Sequence, residues 1–247
     1  MKVKNVAMAA AMALAAVSAT AGTLALDLTS GGTNTGSGYG NLRSFTIDGV
    51  TVTASAWSLT GGTGNTTFET ASLGQYSTGL GVCNRDEGGS SCGSPEHQVS
   101  NNDSLDFVLF QFSAAVDPTS VKIDPYGTYD RDVSYWTGTL ANALSLNGQT
   151  LAGLAAIGFG DRIDDDASAS SSARDVSITS GLVNSLLFGA SALSSDRDDL
   201  FKITSLQFNY TAPTPPTPPT DVPEPGSLAL IALALGGLGL ARRRRAA

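Results

Sequence analysis

Between Arg43 and Trp57 the chain reads RSFTIDGVTVTASAW. Phe45 and Ile47 alternate with polar residues, Asp48-Gly49 interrupts, and Val50 and Val52 resume the alternation. An Asp-Gly pair between two runs of period two predicts a β-hairpin closed by a type I′ turn, because that turn needs positive φ at both central residues. A helix gains nothing from such a pattern, since alternate residues do not fall on one helical face. Similar short runs predict strands at 23–28, 67–75, 104–113, 119–124, 133–140, 175–179 and 200–210. Over 105–112 the apolar residues are nearly continuous, as a strand covered on both faces requires. The stretch 182–193 fits helix and strand equally poorly, and helical periodicity between Leu140 and Phe159 is weak. The intervening turns are rich in Gly, Ser and Asn, and charged residues make up only 15% of the chain. The expected fold class is therefore mainly β, an antiparallel, jelly-roll-like β-sandwich, with a lipocalin-type barrel as the alternative.

The two ends do not belong to that domain. Lys2 and Lys4 precede an apolar stretch over 6–17, followed by Ala19-Thr20-Ala21. This is the form of a secretory signal peptide over 1–21, to be handled by the secretion machinery and signal peptidase. At the other end, 212–221 is a Pro/Thr-rich linker whose APTPPTPPT is expected to be polyproline II-like, spanning about 28 Å at ~3.1 Å per residue. The domain between them, 22–211, has no second Pro-rich break and has room for one core of about 190 residues. Outside the cytoplasm Cys83 and Cys92 are expected to form a disulfide, worth about 2.5–3 kcal/mol by loop-closure entropy. Zinc on Cys83, Cys92 and His97 is the alternative, but it lacks a fourth ligand and the usual spacing.

The last segment, 222–247, reads VPEPGSLALIALALGGLGLARRRRAA. Its apolar run 228–240 would span about 20 Å as a helix, short of the ~30 Å hydrocarbon core. Arg242, Arg243, Arg244 and Arg245 would hold its end on the cytoplasmic side as a stop-transfer cluster. Proline blocks helix continuation and extends the residue before it, so Val222-Pro223-Glu224-Pro225 is expected to be an exposed, extended segment outside the membrane, the form in which proteases bind peptide. An ordinary single-span anchor is the plainer reading.

This succession of Val222, Pro223, Glu224, Pro225 and Gly226, a short apolar helix and an arginine cluster resembles the PEP-CTERM sorting signal. The resemblance implies recognition by exosortase, a membrane-embedded cysteine protease or transpeptidase, with Pro223, Glu224 and Pro225 as recognition residues and the helix removed. The chain would then be in the inner membrane only as a precursor. It would end secreted or at the surface of a Gram-negative bacterium that makes exopolysaccharide, itself a candidate partner. A second stretch, GLGVCNRDEGGSSCGSPEHQVSNNDSLDFVLFQFS followed by YDRDVSYW, resembles the exosortase-dependent surface protein group. That resemblance supports a surface protein and carries over no catalytic residue.

Charge narrows the partners. The chain has 22 acidic and 14 basic residues. Setting aside the signal peptide and everything after Pro223 removes Lys2, Lys4, the four arginines and Glu224, which leaves 21 against 8, a net of −13. Nucleic acid is excluded as a partner on that ground. The carboxylates gather as Asp124, Asp130 and Asp132, as Asp161, Asp164, Asp165 and Asp166, and as Asp196, Asp198 and Asp199. Any of these could hold extracellular calcium, and Asp124, Asp130 and Asp132 are the first choice. Against this, each group contains an arginine (Arg131, Arg162 or Arg197) expected to neutralise part of its charge. Tyr126, Tyr129, Tyr135 and Trp136 surround the first group and are candidates for stacking against sugar rings, with Trp136 and Tyr135 the first choice.

No Gly-x-Ser-x-Gly elbow is present, and His97, the single histidine, is expected to pin the loop after Cys92. The leading expectation is a non-catalytic surface or matrix protein. A carbohydrate-binding module would expose Trp57 or Trp136 on a sheet face. An extracellular hydrolase would need a cleft with two carboxylates, or a serine beside His97.

Overall fold

The 20-residue strand β9, Asp106–Pro125, organises the domain in the computed structural model, which describes residues 22–88, 97–141, 144–213 and 233–235. Its first half lies in one sheet and its second half in another. Expected as two strands, 104–113 and 119–124, it runs through without a break. Ser113, Ala114 and Ala115 carry small side chains across the point where it changes sheet. Pro118, which cannot donate to a ladder, pairs with Phe208 where the neighbouring strand shifts register between Gln207 and Phe208.

In the first sheet the order is β2 (Thr33–Thr35), β3 (Leu42–Ile47), β4 (Val50–Gly61), β9, β13 (Val183–Ala190), β10 (Val133–Gly138) and β11 (Ile163–Asp165), with β5 (Thr67–Thr70) on the far end of β4. The second sheet places β14 (Leu200–Tyr210) beside β9, with β12 (Arg174–Ser177) on the other side of β9. The far edge of β14 pairs with β1 (Gly22–Asp27), β7 (Gly79–Cys83) and β8 (Val99–Ser100), and β6 (Ser72–Tyr76) pairs with β7. Every named strand pairing is antiparallel.

The β3–β4 turn has Asp48 at φ 46° and Gly49 at φ 80°, as the Asp-Gly signal requires. The run 67–75 is broken at Ala71 into β5 and β6, which pair with different strands. The ambiguous run 182–193 contains β13. It sits in the middle of its sheet with Leu186, Leu187 and Phe188 fully buried, so both faces are apolar and alternation disappears. The weak helical pattern resolves into one 3-10 turn, Leu151–Ile157, capped by Thr150, whose hydroxyl accepts from the Gly153 amide.

Two apolar layers result. Between the sheets lie Leu206, Phe208, Val121 and Ile123 from one side and Val52, Phe110, Phe112 and Phe188 from the other, with Phe112 edge-on to Phe208 at 5.2 Å. On the outer face of the first sheet a second cluster gathers Trp57, Phe68, Phe107, Leu109, Trp136 and Leu187 beneath Leu140, Leu146, Leu154 and Phe159. This second layer is why β9 reads as apolar on both faces.

The described residues of the domain belong to one compact unit that ends at Thr211. The signal peptide, linker residues 214–221, sorting motif, arginine cluster and Cys92 lie outside the described residues. Of the sorting helix, 233–235 is described and is helical; among the described residues no helix is long and apolar enough to cross a membrane.

Candidate functional site

Where β14 begins, the loop after β9 runs beside the segment leading into β14. The amide of Asp130 donates to the Asp198 carbonyl at 3.0 Å, and a parallel bridge joins Asp130 to Asp199. Ligand oxygens of Asp130, Asp132 and Asp199 come within 4.8 Å of one another. Asp199 is fully buried. One of its carboxylate oxygens accepts from the Asp132 amide at 2.6 Å, and the other from Asn101 Nδ2 at 2.6 Å and the Ser191 amide at 3.2 Å. Asn101, also buried, returns its carbonyl oxygen to the Asp199 amide at 2.9 Å. The carboxylate of Asp132 accepts from the Ala167 amide, and that of Asp130 from the Arg131 amide at 2.8 Å.

Burial pushes Asp199 up to about 8, helped by the charge of Asp196, and pushes Asp132 up to about 6. Asp198 is raised by desolvation and by Asp196. Yet the three N–H groups aimed at Asp199 favour its ionised form, since a neutral acid has a proton to place where only donors point. A cation in contact with all three carboxylates satisfies both demands. It would replace the proton and leave the amide bonds in place, because the Asp199 oxygen that accepts only from the Asp132 amide keeps a second lone pair.

The sequence named two of these three residues together. Asp124 does not join them. It sits on β9 opposite Lys202 of β14, six residues before Asp130 and on the other side of the turn. Asp199 takes its place, drawn from the third acidic group. A signal was available: Asp-Arg-Asp occurs at 130–132 and again at 196–198, and the two copies lie side by side. Arg131 also departs from expectation. Its guanidinium turns to the carbonyls of Ser168 at 3.1 Å and Ser172 at 2.7 Å, so it does not neutralise its neighbours. In the second group Arg162 pairs with Asp164 at 3.1 Å and Arg174 with Asp165 at 2.6 Å. Arg197 bonds the Asn101 carbonyl at 3.4 Å.

Tyr135 and Trp136, expected to stack on sugars, are 2% and 4% exposed. Tyr135 faces the inter-sheet core against Phe188, and Trp136 meets Phe107 at 5.8 Å in the outer cluster. Trp57 is buried as well, with its indole N–H on Ser55 Oγ at 2.9 Å. Trp57 lines a groove of about 440 Å³ and Trp136 one of about 270 Å³, but each is covered over nearly its whole surface. The reason is that both faces of the first sheet are packed, Tyr135 in the inter-sheet core and the two indoles in the outer cluster.

His97 stacks on Tyr76 at 4.4 Å, and its carbonyl accepts from Lys202 Nζ. That ammonium is buried, lies over the Tyr76 ring at 4.5 Å, and is pushed down to about 7 by desolvation. Gly81 makes the approach possible, since a Cβ there would stand 2.0 Å from the His97 carbonyl oxygen and 2.7 Å from Nζ. Cys83 ends the same strand and is buried. Behind it Asn84 Nδ2 donates to Asp106 at 3.1 Å and Ser100 Oγ to the other oxygen at 3.2 Å; burial holds the Asp106 carboxyl well above its usual range. A groove of about 400 Å³ nearby is lined by Asn65, Asp103, Ser104 and Arg197, with Asp103 as its one carboxylate.

Fold and site together define an acidic domain of antiparallel strands with a carboxylate centre at the mouth of β14. The family model for the PEP-CTERM protein-sorting motif matches residues 221–245, so the chain carries a PEP-CTERM sorting signal at that end. The motif marks an exported protein, sorted by exosortase at the membrane and destined for the cell surface. No curated protein and no solved structure matches the chain.

Proposed function

We propose that the chain is a non-catalytic surface or matrix protein that exosortase severs at Val222-Pro223-Glu224-Pro225, freeing a jelly-roll-like domain to reside in an exopolysaccharide layer. The match over 221–245 carries this reading. The non-catalytic role is supported by His97, whose ring is stacked and whose carbonyl anchors Lys202, and by Asp106 and Asp199, whose oxygens are taken up by structural hydrogen bonds. The resemblance of 79–113 to the exosortase-dependent surface protein group points the same way. The Pro/Thr-rich linker would keep the domain clear of the membrane before cleavage.

The experiment is intact-mass analysis of the protein from wild-type cells and from an exosortase deletion. The wild-type product should begin near Gly22 and end near Pro225, and the deletion should retain Arg242–Arg245. An exported product that keeps its arginines in wild-type cells would refute the reading.

A second proposal concerns the carboxylate centre. Asp130, Asp132 and Asp199 would hold a calcium ion that ties the β9 loop to the start of β14. It is favoured by their mutual approach within 4.8 Å and by the turning away of Arg131. The Cys83–Cys92 disulfide remains part of the proposal for the loop between them.

A further inference from the structure

The chain has two Trp, six Tyr and nine Phe, and of all these rings only Tyr126 and Tyr129 stand exposed, at 39% and 43%. They are neighbours. Their ring centroids are 6.1 Å apart with 29° between planes, a near-parallel pair displaced sideways. Direct stacking would bring the centroids closer, so the offset leaves ring face uncovered on both. The turn that carries them is fixed. The Tyr126 amide donates to the Leu200 carbonyl at 2.8 Å, the Tyr129 amide to the Tyr126 carbonyl at 3.2 Å, and Gly127 supplies φ 59° between them. Each of these two rings keeps about two fifths of its surface in water on a turn that hydrogen bonds hold in place, an adjoining apolar patch of the kind that serves recognition.

Charge around the pair selects the occupant. Asp124 lies two residues before Tyr126, and Asp198 is exposed beside the loop, its carbonyl bonded to the amide of Asp130 next to Tyr129. The basic side chains of the adjoining segments are engaged by carbonyls, Arg131 by Ser168 and Ser172, Arg197 by Asn101 at 3.4 Å and Lys202 by His97. Ring faces rimmed by carboxylates repel an anionic glycan and attract an ammonium, through both ion pairing and the ring quadrupole. Two adjoining rings offer an extended apolar surface on which the faces of a polymer's successive sugars can stack.

We propose that Tyr126 and Tyr129 form a stacking platform for an amino-sugar polymer carrying free amines, with Asp124 and Asp198 meeting its ammonium groups. The site is separate from the three carboxylates proposed for calcium and does not depend on them or on the sorting step.

The test is calorimetric titration of the processed protein with a glucosamine hexamer, its fully N-acetylated counterpart, an alginate hexamer and a lysine hexapeptide, each with calcium and with chelator. The glucosamine hexamer should bind at least tenfold more tightly than the other three. Tyr126→Ala and Tyr129→Ala should each weaken it roughly fivefold to tenfold, as loss of one aromatic contact does. Tyr126→Phe and Tyr129→Phe should retain it, which separates ring stacking from folding. Absence of binding, binding indifferent to loss of the rings, or equal binding of the N-acetylated hexamer would each overturn the proposal. Tighter, Tyr-dependent binding of the lysine peptide would reassign the surface to a basic protein. Binding should be the same with calcium and with chelator; loss of binding in chelator would overturn the claim that the platform stands apart from the three carboxylates.

Discussion

Lys202→Met tests how the segment at His97 is held on the second sheet. Lys202 is 2% exposed, and desolvation brings its ammonium from 10.5 down to about 7. The folded state therefore releases a proton that the unfolded chain keeps. Between pH 7 and 10.5 the unfolded state binds more protons, so stability rises with pH across that window and is flat below it. A span of about 3.5 pH units at ~1.4 kcal/mol each sets the scale of this rise, on the order of 5 kcal/mol. Methionine keeps most of the apolar stem and removes the titration, together with the bond to the His97 carbonyl and the contact with Tyr76. The lost charge-assisted bond costs about 1.5–3 kcal/mol. At pH 6 that loss is offset by relief of the buried charge, and the variant should equal or exceed the wild type; at pH 10 it should be the less stable by several kcal/mol. Urea unfolding from pH 6 to 10.5, followed by fluorescence of the buried Trp57 and Trp136, reads the difference directly. Parallel stability profiles for the two proteins would show that Lys202 does not titrate in this window, and the account of the buried amine would fail.

Other substitutions probe separate layers. Gly81→Ala places a methyl group 2.0 Å from the His97 carbonyl oxygen, so it should lower the melting temperature as much as a core defect of about 2–4 kcal/mol and expose the 83–98 loop to protease. Phe107→Ala, in the outer cluster between Phe68 at 5.5 Å and Trp136 at 5.8 Å, should cost about 3–5 kcal/mol in urea unfolding and shift Trp136 emission to the red. At free calcium a hundredfold above its Kd, the ion should add ~2.7 kcal/mol. In a domain of this size that is roughly 5–10 °C of melting temperature, removed by chelator and absent in Asp130→Asn/Asp132→Asn. A melting temperature indifferent to chelator would exclude the ion.

Much of the fold was readable because its signals are local. Asp48-Gly49 dictates its own turn, and 206–210 alternates as Leu-Gln-Phe-Asn-Tyr because that end of β14 buries one side only. Where a strand is covered twice, the period vanishes and so does the evidence of its type. β13 lost its identity for this reason, lying between β9 and β10 with apolar neighbours on both faces. The same cause misled the reading of Tyr135 and Trp136: aromatic residues beside an acidic loop look like a binding platform, but β10 is an interior strand and buries both.

The carboxylate centre shows the complementary limit. Asp130 and Asp132 share a loop and could be paired by inspection, whereas Asp199 arrives from 67 residues further along, brought there by the pairing of β9 with β14. Chain proximity favoured Asp124 instead, although β9 is still extended at that point and directs it toward the Lys202 register. The exposed pair Tyr126 and Tyr129 and the buried pair Tyr135 and Trp136 are likewise indistinguishable by composition. What separates them is the end of a strand: aromatics before Val133 lie in the turn, and those after it enter a ladder between two others. The surface most suited to recognition is thus the short stretch where β9 has left its sheet and β10 has yet to begin, bounded on one side by the acids that the fold, and no stretch of sequence, assembles.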